Sequence, residues 1–329
     1  MRIALAGDVM LGRGVDDSVI RNPASSPAAI WSDVLPVMLA ADYRLINLEC
    51  VISTRGRPWH PLTKAFHFRA HPRAIEFLHA AKIDCVTLAN NHVLDYGAEA
   101  MLDCLTLLDQ SGIGRCGAGS NLKEASAPVW LRSPQGRLAV VAVTDNEPDW
   151  EAGSETPGVH FIAYDRHGLR DPYRSRLLEV LAQARRQADF VIVSAHVGPN
   201  WGAPSAEMRT LAQEIVLLGA DCYWGHSNHT PQGIELFHGR VILYSTGDFI
   251  DDYAVDPEER NDLSFLFTVD VEHSRATQVR LYPIQIEDFC VRLAQGEEAA
   301  LVSGRMRAKC AVFGTVVEFQ NNVGTIMVD

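Results

Sequence analysis

Long hydrophobic runs are missing from this chain, because charge interrupts every apolar stretch short of the roughly 20 residues that cross a bilayer. No membrane partner is therefore expected. Positive charge is also scarce: 29 Lys and Arg stand against 41 Asp and Glu, a formal net charge of −12. A basic surface for nonspecific nucleic-acid binding is thereby excluded. Cysteine pairs are absent too. Cys50, Cys85, Cys104, Cys116, Cys222, Cys290 and Cys310 are odd in number, widely spaced and without a CxxC, unlike a zinc ribbon or a disulfide scaffold. They read as small core residues. Internal repeats and low-complexity tracts are lacking, and Arg2-Ile3-Ala4-Leu5-Ala6 meets Gly7-Asp8 too soon for a signal-peptide core. The expected compartment is the cytoplasm. What remains is a globular composition, 47% hydrophobic and 21% charged over 329 residues, enough for one large domain or two ordinary ones.

The informative regularity is a short apolar run that ends in a metal-ligand or acid/base residue type. Arg2 to Ala6 ends in Gly7-Asp8, Tyr43 to Leu48 in Glu49, and Asp84 to Ala89 in Asn90-Asn91-His92. Phe190 to Ala195 ends in His196, and Ala220 to Trp224 in Gly225-His226, with His229 three residues on. Between them, helical periodicity predicts helices over 28–40, 72–81, 97–110, 173–188 and 205–218. Strand then helix, repeated, means an α/β sheet with much parallel pairing, whose strand ends share one edge where ligands bind. Hairpins are predicted at 129–143 and 234–244, strands over 263–271 and 278–286, a helix over 287–301 and further strands around 311–319. The irregular stretch Asp145 to Asp171 reads as a wall of the site.

Carboxylate, amide and imidazole groups brought to one edge without a thiolate suit one or two divalent cations such as Mn, Zn or Fe. In order, Gly7-Asp8-Val-Met-Leu-Gly-Arg13, Asn47-Leu-Glu49, Ala89-Asn-Asn-His92 with Asp95-Tyr-Gly97, His196, Gly225-His226-x-x-His229 and Tyr244-Ser-x-Gly-x-Phe249 resemble the signature set of the CapA proteins. Those are associated with poly-γ-glutamate capsule biosynthesis and are similar to calcineurin-like metallophosphoesterases. The resemblance implies a four-layer αββα sandwich over residues 1–290, with a β-rich C-terminal extension, 291–329, packed on it. It also implies a ligand set: Asp8 and His229 on a first metal, Asn91, His196 and His226 on a second, and Glu49 as the bridging carboxylate. His92 would be a noncoordinated general acid/base. Asp95 would orient it or cap the helix beginning near Gly97, and Arg13 would meet an anionic substrate.

The implied function is hydrolysis, a metal-activated hydroxide attacking a phosphoester or a glutamyl amide. The same site allows metal-assisted epimerisation of a peptide residue, with His92, Asp8 or His229 as bases, and a noncatalytic polymer-handling role stands beside both. Expected partners are small-molecule, peptide or polyglutamate-type anions, with the oligomeric state open. Departures from the pattern are instructive: Met10 occupies the histidine position of Asp-x-His, Ser227-Asn228 separates the two late histidines, and Asp248 replaces the usual Asn. They leave the first metal short of a ligand and put the substrate in question. His60, His67, His71, His79, His160, His167, His238 and His273 read as ordinary loop or core residues. Arg55, Arg57, Arg69 and Arg73 read as a solvated loop that could also hold an anion.

Overall fold

Two sheets face one another across a shared apolar core, with helices on both outer faces, in a computed structural model that describes residues 1–59 and 64–328. This is the four-layer αββα arrangement expected from the sequence. The first sheet has ten strands. Its spine runs 318–320, 323–327, 275–287, 263–272, 2–9, 43–48, 85–87, 114–116, with 248–250 beside 2–9 and 290–293 beside 275–287. The second has six, in the order 234–237, 240–243, 222–226, 190–196, 136–144, 129–133. Its four inner strands are mutually parallel.

Strand periodicity assigns the layers. In the first sheet Ile3, Leu5, Leu45 and Cys85 point inward to meet Val140, Ile192, Trp224 and Leu243 of the second. Their neighbours Ala4, Ala6, Ile46 and Val86 point outward, against Phe77, Leu78, Met101 and Leu105 of the helices. On the far side Val141, Val143, Val191 and Val193 receive Leu177, Leu181, Leu211 and Ile215. Strands buried on both faces carry no polar face, which is why they read as continuous apolar runs.

The helices at Ala74–Ala80, Gly97–Gln110, Tyr173–Gln187 and Ala206–Leu218 fall where the periodicity predicts them. Ser205 caps the last of these by accepting the Met208 N–H at 3.2 Å. Over 28–40 the helix is broken: Ser32, with φ 43°, kinks the 3₁₀ segment Ala29–Val34 from within, and a short α-helix at Leu35–Leu39 follows. The helix expected over 287–301 begins later. Asp288 and Phe289 take positive φ and turn Cys290–Leu293 back against Ile284–Glu287, so the helix occupies Gly296–Ala311. Its Val302, Met306 and Cys310 enter the core between the sheets, and Val323–Met327 pairs with the Arg275–Glu287 strand. All seven cysteines are free thiols, and all but Cys290 are buried. Among the described residues no helix is long and apolar enough to cross a membrane.

Candidate metal centre

The carboxyl ends of the two sheets meet, and the register aligns their last residues. In the first sheet Asp8 has Asn47 as its partner on one side and Asp248 on the other. In the second, His196 and His226 are direct partners on adjacent parallel strands. One donor atom each from Asp8, His196 and His226 lies within 4.8 Å of the others, all three residues being buried. Asp8 Oδ1 is 3.6 Å from His226 Nδ1 and 3.8 Å from His196 Nδ1. Asn47 Nδ2 donates to the same Oδ1 at 2.7 Å, and the Ser227 N–H donates to Oδ2 at 3.2 Å. The two imidazole Nδ1 atoms share a hydrogen bond of 2.9 Å, and His226 Nε2 meets Ser194 Oγ at 2.6 Å.

Two glycines make this approach possible. A Cβ on Gly7 would lie 1.8 Å from the Gly247 carbonyl oxygen, and one on Gly225 would lie 2.2 Å from that of Tyr244. Only glycine fits immediately before Asp8 and before His226.

Around this triad stand the other candidates. Glu49 Oε1 is 3.8 Å from His196 Nε2, and Glu49 Oε2 accepts the Tyr253 hydroxyl at 3.1 Å. Asn90 does the structural work of its turn: its amide donates to Asn47 Oδ1 and the Leu48 carbonyl, and its Oδ1 accepts the N–H groups of His92 and Val93. The side-chain oxygen of Asn91 is left buried with no partner. His229 Nδ1 lies 2.9 Å from Asp248 Oδ1, and the second Asp248 oxygen is buried without a partner. His92 is stacked on Phe68 at 3.8 Å between ring centroids, with Nδ1 2.6 Å from Asp95 Oδ2. The Phe68 N–H donates to that same oxygen at 2.6 Å. Asp95 caps nothing, since the Gly97–Gln110 helix starts from Tyr96 without a side-chain cap. Met10 is fully buried, and its sulfur accepts the Gly12 N–H at 3.0 Å.

Burial dominates the electrostatics. It raises Asp8 to about 7, assisted by the Asp248 charge, and raises Glu49 well above the carboxylate range, assisted by Asp8 and Asp248. Burial also lowers His226 to about 3, and with His226 it pushes His196 well down. At His229 burial opposes protonation, but Asp248, Asp8 and Asp251 outweigh it and raise the ring to about 9. Buried carboxylates that repel one another, beside imidazoles held neutral, form a donor set that a cation would stabilise. The unpartnered Asn91 oxygen is a further acceptor without a donor, so the residues fit a divalent ion.

Beside these groups lies a cleft of about 530 Å³ lined by Arg13, Glu49, Asn91, His92, His196 and His229 among others, whereas Asp8 and His226 are buried and are not among its lining residues. Arg13 pairs with Asp252 at 3.2 Å. Lys64 and Glu147 also line the cleft, and neither stood out in the sequence. The Lys64 ammonium bridges Asp95 Oδ1 at 3.2 Å and Glu147 Oε1 at 2.9 Å, and donates to the Asn91 carbonyl. Through Glu147 the Asp145 to Asp171 stretch does supply a wall. Tyr253 and Asp251 were equally silent, lying in an irregular segment with no periodic signal, whereas Asp248 was visible as a departure from a motif. The arginine loop lies elsewhere: Arg55 pairs with Glu99, Arg69 covers the Tyr96 ring, and Arg73 holds the carbonyls of Ile20, Asn22 and Ser25. His60 lies outside the described residues.

The family model described as "Bacterial capsule synthesis protein PGA_cap" matches residues 2–253. A probable polyglutamine synthesis accessory protein of Mycobacterium tuberculosis is 30% identical, over 90% of this chain and 87% of its own. The PGA biosynthesis protein CapA of Bacillus subtilis is 29% identical over 76% of this chain and 63% of its own. Among solved structures, a hypothetical protein from Thermus thermophilus superposes with a TM-score of 0.53 at 15% identity, covering 87% of this chain and 99% of that one.

Proposed function

The chain belongs to the bacterial capsule synthesis protein family PGA_cap, and from that premise we propose that it is a metal-dependent hydrolase of an anionic phosphoester. One observation carries the reading: a buried carboxylate and imidazole donor set from two sheets, Asp8 with His196 and His226, reaches through His196 a cleft that His92, paired with Asp95, also lines. Asp8, Glu49, Asn91, His196, His226 and His229 would hold one or two divalent ions. When bound, such an ion lowers the pKa of water and polarises an ester oxygen.

The protein's own groups supply the rest. Asp95 fixes Nδ1 of His92, leaving Nε2 to pass a proton to the leaving oxygen. Lys64 and the Phe68 N–H hold Asp95 in turn. Arg13 offers a guanidinium at the cleft for a substrate anion. The names of the relatives connect them with PGA and polyglutamine synthesis, which supports a glutamyl amide as a second scissile bond for the same machinery. Seven unpaired thiols are consistent with a reducing, cytoplasmic setting.

The test is release of nitrophenol from nitrophenyl phosphate esters by full-length protein loaded in turn with Mn, Zn and Fe, alongside elemental analysis. We expect retained metal and metal-dependent turnover, both lost in His226→Ala. Wild-type protein that holds no metal after all three incubations overturns the reading.

A second reading has its own observation. Two imidazoles lining the cleft are each held at Nδ1 by a carboxylate, His92 by Asp95 and His229 by Asp248, and a pair of bases is what epimerisation of a peptide residue requires. That activity would incorporate solvent deuterium at Cα without cleavage. Metal retention with neither signal would leave a polymer-handling role.

A further inference from the structure

The walls of the cleft differ in character from its floor. Phe66 is 60% exposed and Trp201 41% exposed, both lining the cleft above the metal-ligand candidates. Trp201 extends a continuous run of rings. His92 stacks on Phe68, Phe68 is 5.7 Å from Tyr253, Tyr253 is 5.2 Å from His229, and His229 is 5.2 Å from Trp201. The Arg13 guanidinium lies over Phe66 and Phe68, each at 5.5 Å, and over Tyr253 at 5.9 Å. Large aromatic faces left open beside a buried polar floor mark a surface that a ligand covers.

The cleft's cations tell against a polyanion. An extended chain of carboxylates needs a row of free basic groups, and among the described lining residues the only Arg and Lys are Arg13 and Lys64, while His229 and His92 are each held by a carboxylate, Asp248 and Asp95. Lys64 is already committed to Asp95 and Glu147, and sits 4.3 Å from the Trp150 ring centroid. Arg13 meets Asp252 through Nε at 3.2 Å and stays partly exposed, so it can take one anion. That leaves room for one anionic group at the floor and an apolar plane against the wall, in a volume suited to a ligand of drug size.

We propose that this cleft selects a ligand with a single anionic group joined to an aromatic ring, the anion meeting the floor and Arg13 and the ring lying against Phe66 and Trp201. The inference rests on the cleft being the substrate site, and it narrows the substrate class from anions in general to aryl anions. Titration calorimetry on Mn-loaded full-length protein tests it with matched probes: phenylphosphonate against methylphosphonate, N-acetylphenylalanine against N-acetylglycine, and a γ-glutamyl tetramer. The aryl member of at least one pair should bind about tenfold more tightly, the scale of an aromatic contact plus its buried area; the pair that responds identifies phosphoryl or carboxylate as the anion. Trp201→Ala and Phe66→Ala should each erase most of that preference without changing metal content, and Trp201→Phe should retain it. Equal binding within both pairs, or tightest binding of the γ-glutamyl tetramer with no loss in Trp201→Ala, overturns the proposal. Turnover is read separately: aryl preference without hydrolysis removes the hydrolase reading and keeps this one, whereas hydrolysis without aryl preference does the reverse.

Discussion

His92 is gripped on every side: Asp95 holds its Nδ1, Phe68 stacks on its face and Asn90 accepts its backbone N–H. A ring so fixed beside the ligand candidate Asn91 is suited to moving a proton. His92→Asn should therefore keep metal content near wild type while lowering turnover by roughly two to four orders of magnitude; metal loss in that variant would make His92 a ligand. His160 has a different task. It is fully buried, its Nδ1 is 3.0 Å from the Ala142 carbonyl, and its Nε2 has no partner. Burial, with the charge of Arg176, lowers it to about 4. Between that value and the ordinary 6.5 the unfolded chain binds more protons than the folded one, so stability falls as pH drops through this window. The full term is about 3 kcal/mol, complete below about pH 4 and absent above about 7. Urea unfolding at about pH 4.5 and about pH 7.5, on either side of most of that window, should show His160→Gln losing less stability on acidification than wild type. Identical losses would assign the acid sensitivity to other groups.

Individual elements show where sequence patterns suffice and where they do not. Helices such as Gly97–Gln110 and Ala206–Leu218 were legible because one apolar stripe meets one sheet. The 287–301 expectation failed because a two-residue turn at Asp288 and Phe289 makes a hairpin where composition alone suggests helix. Close crossings of strands were equally invisible, since nothing in Gly7 or Gly225 announces a carbonyl so close to where a Cβ would sit. Gly7→Ala must push the Thr246-Gly247 turn away and carry Asp8 with it. We expect a loss of more than about 2 kcal/mol, the range of core overpacking, together with weaker metal binding. Gly304 is the opposite case: it lies within the Gly296–Ala311 helix, with open space where a Cβ would go. Gly304→Ala should stabilise the protein by up to about 1 kcal/mol and leave metal binding unchanged. Thermal unfolding of the two variants, side by side, checks both signs.

At the scale of the whole molecule the candidate site is a seam. Its candidate donors could be gathered from distant stretches of sequence because each ends or follows a short apolar strand, and the structure brings one donor atom each of Asp8, His196 and His226 within 4.8 Å. The side chains that complete the cleft unannounced, Lys64, Glu147 and Tyr253, come from irregular segments whose placement depends on tertiary packing. The seam has a thermodynamic consequence. Asp8 and Glu49 belong to the first sheet and its following loop, whereas His196 and His226 end strands of the second, so an ion bound by both groups ties the two sheets together. The unfolded chain has no such convergence, and ion binding should therefore add to folding stability by mass action. At free ion about one hundred times the dissociation constant the gain is about 2.7 kcal/mol, which for a chain of this size raises the midpoint by roughly 4 °C. Protein stripped with chelator should melt lower by that order, and its midpoint should climb with added Mn or Zn. His226→Ala should abolish the climb, because it removes the second sheet's central donor. Asp248→Asn should preserve most of it, because an amide oxygen still accepts from His229 Nδ1. A midpoint that ignores added ion in the wild type would mean that the two sheets are held by their apolar core alone and that the donors at the seam are not a metal site.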